Sequence, residues 1–341
     1  ELFMSANVAQ SIPSGLLEPD VANFIIENAG GVTVNSTMNI TEVLDVREGT
    51  LTTNGNINMV CTFSPRETAQ IDAIDGTISG DITVEQCFPA RRAFRLVSPS
   101  TTTTTTIREN WQEDAASYDD TSVEDNYGTH ITGVEPDDPN DPPVSLDGTN
   151  GFDWNGSGNI SMFTFNNSSQ TWEDVSNTNV NTLIAGEPYR LMIRGARVNG
   201  GVAFDIDNNA ATPTDTRLRS TGTVEDGNFS IPNGDLNQTG NLDNNWNLIG
   251  NPYHALVNMK QLIDNSTALS RFYTVWDPTL GGTPTVGQPG GRGAFVTYNV
   301  DESDFEIDGA TGTSDINNFL QPYQAAFVRT NTSGTATVDF T

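Results

Sequence analysis

The sequence is poor in positive charge. Only 15 of its 341 residues are Lys or Arg, against 44 Asp and Glu, and the formal net charge is −29. Lys260 is the single lysine, and the arginines are scattered apart from the pair Arg91 and Arg92. A surface that binds phosphate needs clustered cations. We therefore expect neither nucleic acid nor an anionic membrane surface as a partner.

The sequence also lacks long apolar runs. It contains no stretch of about 18 apolar residues, so we expect no membrane insertion. Residues 1–10 do not combine a basic segment with a long apolar one, and no signal peptide is visible. We expect the chain to be a mature form or a fragment of a longer protein.

Residues that could act in catalysis are scarce. His130 and His254 are the two histidines, and neither lies in a recognisable nucleophile or metal motif. The glycine-rich stretch 287–293 precedes a strand-like segment, which indicates a turn and not a phosphate loop. The carboxylates are too numerous for their positions in the sequence to indicate a glycosidase pair. We predict that the protein is not an enzyme and that both histidines are structural.

Threonine and asparagine are abundant, with 43 and 36 residues, and they favour strands and turns respectively. The first ninety residues contain three pairs of strand-like segments: 31–34 with 38–40, 49–52 with 57–59, and 76–79 with 82–84. Such a repeat predicts a β-solenoid, in which each coil buries its apolar face against the next. An ordinary antiparallel sandwich is the alternative.

The rest of the chain contains a degenerate internal duplication. The matching segments are 94–99 with 246–252, 162–165 with 272–276, and 189–194 with 324–329. A short helix is predicted after the first member of each copy, over 107–113 and 256–263. Two copies of one strand-rich unit are therefore expected.

The predicted fold class is all-β. We expect a β-solenoid-like strand stack over residues 1–93, followed by two related β-sandwich units of jelly-roll type over 94–240 and 241–341. An acidic, proline-rich loop over 135–143 is expected to be exposed within the first unit.

Two loops rich in oxygen ligands are candidate calcium sites. The candidate ligands are Asp235, Asn237, Thr239 and Asp243 in one loop, and Asp205 and Asp207 in the other. The first loop matches the first nine positions of a helix-loop-helix calcium site, but Trp246 stands where that site needs a bidentate Glu. The alternative is that both loops are Asx turns without a ligand.

Cys61 and Cys87 are the only cysteines, and each ends a strand-like segment. If these segments are neighbours in the strand stack, the two residues lie close enough for a disulfide, which an exported protein would form. We therefore predict a disulfide between Cys61 and Cys87.

Tryptophans are candidates for sugar stacking. The chain has five, and Trp154 and Trp172 are the candidates for exposed platforms in a glycan-binding module. The alternative is that most of the tryptophans lie in the core of a β-rich domain.

Several stretches together resemble a known class of module. They are residues 76–85, 89–95, 107–113, 127–133, 185–195 and 246–253. In their order they are similar to a module common in large surface and secreted proteins of the Bacteroidota, especially flavobacteria, that the type IX secretion system exports. The resemblance covers most of the chain and implies export and surface display. It supplies no catalytic residues, and the sorting domain that usually follows such modules does not follow here.

These observations lead to two expectations about function. The first is an extracellular structural protein of a bacterial cell surface, acting as a fibre or filament subunit, a stalk or an adhesin segment. Such a protein would associate with itself or with other cell-surface proteins. The second is a glycan-binding surface module that uses exposed tryptophans and calcium-ordered loops. Calcium is the one cofactor that the composition favours.

Overall fold

The fold is nearly all β, with 47% strand and 5% helix, which confirms the predicted class. The structure is a computed structural model, and it describes residues 1–16, 19–133, 149–155, 158–206, 208, 211–237, 245–281, 293–309, 312–331 and 335–340. The predicted acidic loop 135–143 lies outside the described residues, as does the glycine-rich stretch 287–293 apart from Gly293.

The N-terminal part is a β-solenoid of about four turns. Its strands are β1 (Leu2–Ala6), β2 (Gln10–Ile12), β3 (Asp20–Asn28), β4 (Val32–Val34), β5 (Met38–Glu48), β6 (Thr50–Thr52), β7 (Ile57–Met59), β8 (Cys61–Phe63), β9 (Arg66–Thr68), β10 (Gln70–Ile71), β11 (Thr77–Ser79) and β12 (Ile82–Phe88). Strands β1, β3, β5, β7 and β12 pair in parallel in one sheet, and β2, β4, β6 and β11 pair in parallel in a second. The three predicted segment pairs are consecutive rungs of these sheets, which confirms the solenoid.

Side chains on the solenoid strands alternate between an apolar interior and a polar outer face, as a two-residue period requires. Ile40, Met59 and Val84 are in register in the interior, and each is fully buried. The residues just before the first two, Asn39 and Asn58, point outward, and Asn58 Nδ2 donates to Asn39 Oδ1 at 2.9 Å. Parallel stacking thus puts identical polar groups within hydrogen-bond reach of each other.

The remaining elements form two groups. The first group comprises β13 (Ala93–Val97), β14 (Thr101–Thr102), α1 (Ile107–Trp111), β15 (Met162–Asn166), β16 (Thr171–Asp174), β17 (Tyr189–Ile193), β18 (Val198–Asn199), β19 (Val202–Ala203) and β20 (Thr216–Val224). The second comprises β21 (Phe229–Ile231), β22 (Trp246–Gly250), β23 (Val257–Asn258), α2 (Met259–Asn265), β24 (Leu269–Asp277), β25 (Ala294–Asn299), β26 (Asp304–Ile307), β27 (Phe319–Leu320), β28 (Ala325–Thr330) and β29 (Val338–Phe340). Short 3₁₀ turns occupy Thr149–Gly151 and Asn233–Asp235.

The two groups share one topology. The main sheet of the first has the order β13-β17-β15-β16, and that of the second has the order β22-β28-β24-β25-β26, with antiparallel neighbours throughout. In both, a short helix follows the first strand. The last main strand, β17 or β28, lies between the first strand and the central hairpin and pairs with both. The duplication in the sequence is therefore a duplication of a strand-helix-hairpin-strand unit, with one additional edge strand, β26, in the second copy.

Strand pairing crosses both of the predicted domain boundaries. β20 pairs antiparallel with solenoid strand β12 over seven residue pairs and closes that end of the solenoid sheet. β21, which precedes residue 240, pairs with β29 near the end of the chain. One hydrophobic core extends from solenoid residues such as Leu44 to Trp111 of α1 and Leu191 of β17.

The two main sheets face each other across a smaller hydrophobic cluster. Leu96 of the first sheet and Leu248 and Phe327 of the second are buried in it, and aromatic rings from both sheets pack around them. No helix in the described part of the chain combines the length and apolar character needed to cross a bilayer.

Candidate functional site

The contact between the two main sheets leaves an open groove of about 750 Å³. All five strands of the second sheet contribute to its lining, whereas the first sheet contributes Phe165 of β15 and Gln170 from the β15–β16 turn. Four aromatic rings line the groove: Phe165, Trp246, Phe295 and Phe327. We refer to this feature as the aromatic groove.

Strand alternation places the three rings that the second sheet contributes on one face of that sheet. Phe327 and Arg329 are two residues apart on β28, and Phe295 and Thr297 are two apart on β25, so each pair points to the groove. The rings meet edge to face: Phe165 lies 5.1 Å from Phe327 between centroids, and Phe295 lies 6.0 Å from it. Such contacts fix the orientation of the rings and leave part of their surface open.

Trp246 is held in place from two sides. Gln170 Nε2 donates to the Trp246 carbonyl at 2.7 Å, and the Trp246 amide donates to Gln170 Oε1 at 3.1 Å. The Arg329 guanidinium lies 3.7 Å from the centroid of the Trp246 ring. The hairpin turn of the first sheet is thereby bound to the first strand of the second sheet, and the groove has a rigid end.

A few polar groups lie among the rings. The Thr274 and Thr297 hydroxyls lie 2.8 Å apart on adjacent strands, and two exposed carboxylates line the groove, that of Glu306 on the outer strand β26 and that of Asp308 just after it. An apolar, concave surface with a small number of placed hydrogen-bonding groups is typical of a small-ligand site.

The two tryptophans that the sequence suggested lie elsewhere. Trp172 is half-buried and packs 5.1 Å from Phe165, so it supports the groove from behind its lining. Trp154 packs 5.7 Å from Tyr118, away from the two sheets, and Trp111 is fully buried. The tryptophan that lines the groove is Trp246, which sequence reasoning did not single out because its partners come from distant strands.

The candidate calcium ligands are only partly described. Thr239, Asp243 and Asp207 lie outside the described residues. Asn237 is buried, its amide donates to Asn247 Oδ1 at 2.6 Å, and its carbonyl accepts from the Thr330 hydroxyl at 2.6 Å.

The other two candidate ligands lie in local turns. Asp205 Oδ1 accepts from the Asn208 amide at 3.2 Å, and Asp235 ends the 3₁₀ turn. Within the residues that the structure describes, no three His, Cys, Asp or Glu side chains gather where they could hold a metal ion. Calcium binding therefore stays a prediction.

Both histidines are buried in hydrogen-bonded positions. Burial lowers the pKa of His130 to about 4 and that of His254 to about 3. His130 Nε2 lies 2.7 Å from the Tyr118 carbonyl, and His254 Nδ1 lies 3.0 Å from the Ser100 hydroxyl. Neither histidine lines the aromatic groove.

Cys61 and Cys87 form a disulfide, with their Cα atoms 5.7 Å apart. It joins β8 at the fourth solenoid turn to β12, the strand on which β20 pairs. The disulfide therefore lies at the closed end of the solenoid.

The sequence and the fold were also compared with known proteins. No protein-family model matches the chain, and neither the curated proteins nor the solved structures include one with significant similarity to it.

Proposed function

We propose that this chain is an extracellular, non-enzymatic adhesin segment of a bacterial cell surface that binds a glycan in the aromatic groove. The observation that carries the proposal is the groove itself, in which three half-buried rings and one buried ring lie beside hydroxyl, amide and carboxylate groups. Sugars present apolar C–H faces and a rim of hydroxyls, and this lining complements both. Its volume of about 750 Å³ lies within the usual range of ligand sites, roughly 300–1,000 Å³.

The solenoid suits the role of a stalk in this proposal. Parallel strands stack at about 4.8 Å per coil, so about four turns and the closing strand span roughly 20 Å. Its apolar interior is continuous with the core below the first main sheet. The groove is therefore held on a rigid support.

Two further features favour an extracellular location. A disulfide between the only two cysteines is suited to an oxidising compartment. The net charge of −29 keeps an exposed protein soluble.

Binding of a panel of neutral and acidic polysaccharides, followed by tryptophan fluorescence and calorimetry, tests the proposal. We expect Trp246→Ala and Phe295→Ala each to weaken binding about 10- to 100-fold, because each removes a stacking surface worth roughly 1–3 kcal/mol. Trp154→Ala and Phe272→Ala, which lie outside the groove lining, are matched controls and should bind normally. If no polysaccharide binds, or the controls lose as much affinity as the groove variants, the proposal is wrong.

Assembly into a fibre is the second candidate function. The outer edge of β1 has no strand partner within the described residues, and an open edge is a template for pairing with another chain. Sedimentation of the chain at high concentration, with and without calcium, tests this. A strictly monomeric protein under both conditions would exclude the fibre.

A further inference from the structure

An arginine lies among three aromatic rings on the first main sheet. The Arg190 guanidinium carbon is 4.0 Å from the centroid of Phe94, 5.6 Å from that of Phe163 and 5.3 Å from that of Trp172. All four side chains are half-buried. We refer to these four residues as the Arg190 cluster.

The cluster follows from the register of the sheet. Arg190 on β17 stands opposite Leu96 on β13 and opposite Phe163 on β15. Directly opposed residues of antiparallel strands point to the same face. Arg190 therefore points to the face that carries Leu96, which is the face turned toward the second sheet.

Arg190 makes no hydrogen bond or ion pair with any residue that the structure describes. Among the described residues, Arg197 is paired with Asp153 at 2.7 Å and Arg219 with Glu113 at 2.6 Å, whereas the half-buried Arg95 donates to the Pro89 carbonyl at 3.2 Å. Asp174 lies on the same face one strand beyond Phe163 and forms no ion pair with Arg190. Arg190 differs from these arginines because neither a carboxylate nor a carbonyl among the described residues accepts a hydrogen bond from it.

Stacking against aromatic rings leaves this guanidinium able to bind an anion from outside the chain. A ring that stacks on a guanidinium leaves the N–H donors in its plane available for a carboxylate or sulfate oxygen. Burial lowers the pKa of Arg190, and no neighbouring carboxylate opposes that effect. An oxyanion would therefore gain charge-assisted hydrogen bonds, and it would neutralise a half-buried charge.

The Arg190 cluster is continuous with the aromatic groove. Trp172 contacts both Arg190 and Phe165, and Phe165 lines the groove. We propose that Arg190 binds the oxyanion of an acidic sugar, a carboxylate or a sulfate ester, in a glycan that also occupies the aromatic groove. This inference rests on the proposed function and adds the class of sugar.

Three oligosaccharides of equal length test the inference: an uncharged glucan, an oligogalacturonate and a sulfated galactan. Calorimetry with the full chain should show at least tenfold tighter binding of one acidic oligosaccharide than of the uncharged one, about 1.4 kcal/mol. Arg190→Gln should remove this preference and leave the uncharged glucan unaffected. Arg190→Lys, which keeps the charge and loses the planar donors, should retain only part of it.

Two matched variants distinguish the possible outcomes, and the thermal midpoint of each variant shows whether it is folded. Arg66→Gln changes an exposed arginine on the β8–β9 hairpin and should retain the preference, whereas Arg329→Gln changes the arginine stacked on Trp246. The inference is overturned if Arg329→Gln removes the preference and Arg190→Gln does not, or if the folded protein binds acidic and uncharged oligosaccharides equally. Failure of all three oligosaccharides to bind would instead overturn the proposed function.

Discussion

Polar side chains are hydrogen-bonded differently on the solenoid and between the two facing sheets. On the outer face of the solenoid, Asn58 bonds to Asn39, and Asn39 bonds in turn to Asp20, each at 2.9 Å. Between the facing sheets, aromatic rings remain half-buried, and Arg190 has no hydrogen-bonding partner among the described residues. Regular stacking satisfies the polar groups internally, whereas the irregular contact leaves groups available. This difference agrees with the proposal that the solenoid is a support and that the region between the facing sheets binds a ligand.

The largest expected effect comes from the solenoid interior. Leu44 on β5 is fully buried, and its replacement by Ala should lower the free energy of unfolding by about 2–5 kcal/mol, because it leaves a cavity in a stacked core. Urea unfolding measures this change. Val8→Ala, at a side chain that is 68% exposed, is the control and should cost less than about 0.5 kcal/mol. Equal losses in both variants would show that the solenoid interior does not support the fold.

An intermediate and pH-dependent effect is expected where α1 meets the closing strand β20. Burial raises the pKa of Glu113 to about 7, and its Oε1 has no hydrogen-bond partner within the described part of the chain. A carboxyl group whose pKa is higher in the folded than in the unfolded protein favours folding most below its usual pKa of 4.5. That contribution is lost as the pH rises through 7. Glu113→Gln keeps the uncharged form, so its free energy of unfolding should exceed that of the wild type at pH 8 by about 2–3 kcal/mol. Near pH 4.5 the two should agree.

Urea unfolding from pH 4.5 to pH 8 checks this prediction. Glu124→Gln is the control, because Glu124 also pairs with Arg219 but its side chain is 55% exposed. An exposed pair contributes little, so this variant should differ from the wild type by less than about 1 kcal/mol at each pH. Parallel pH profiles for Glu113→Gln and the wild type would contradict the prediction.

The smallest effect is expected on the polar outer face of the solenoid. Asn58→Ala removes the hydrogen bond to Asn39 and should cost about 0.5–1.5 kcal/mol. The thermal midpoint measures it. The control is Asn7→Ala, at an exposed position whose side chain forms no hydrogen bond with the residues that the structure describes. If both substitutions leave the midpoint unchanged, the outer asparagines do not stabilise the stack, and the contrast with the facing sheets weakens.

The solenoid could be predicted because its signal is local and repeats. Each coil carries its own alternation, as in Val32–Val34 and Thr50–Thr52, so neighbouring coils resemble each other in sequence. The closing strand β20 could not be predicted in this way. It pairs with β12 across more than 120 residues, and antiparallel pairing at that separation leaves no periodic pattern.

The candidate site was mostly invisible in the sequence for a related reason. The duplication predicted which strands correspond, but the groove depends on how the two copies face each other. Phe165, Trp246 and Phe295 come from three separate strands and converge only when the sheets pack. Arg190 likewise has no sequence neighbour among its three rings, which lie on β13, β15 and β16.

The disulfide at the closed end of the solenoid has a mechanical consequence. If the groove binds a glycan on a surface while the far end of the solenoid is anchored, a pulling force acts along the stack and draws each coil away from the next. Interstrand hydrogen bonds loaded in this direction separate one after another. The junction nearest the groove differs, because Cys61 and Cys87 join the fourth coil covalently to β12, the strand on which β20 pairs. Under a pulling force, the outer coils would therefore separate from one another before the part of the chain that carries the groove is pulled away.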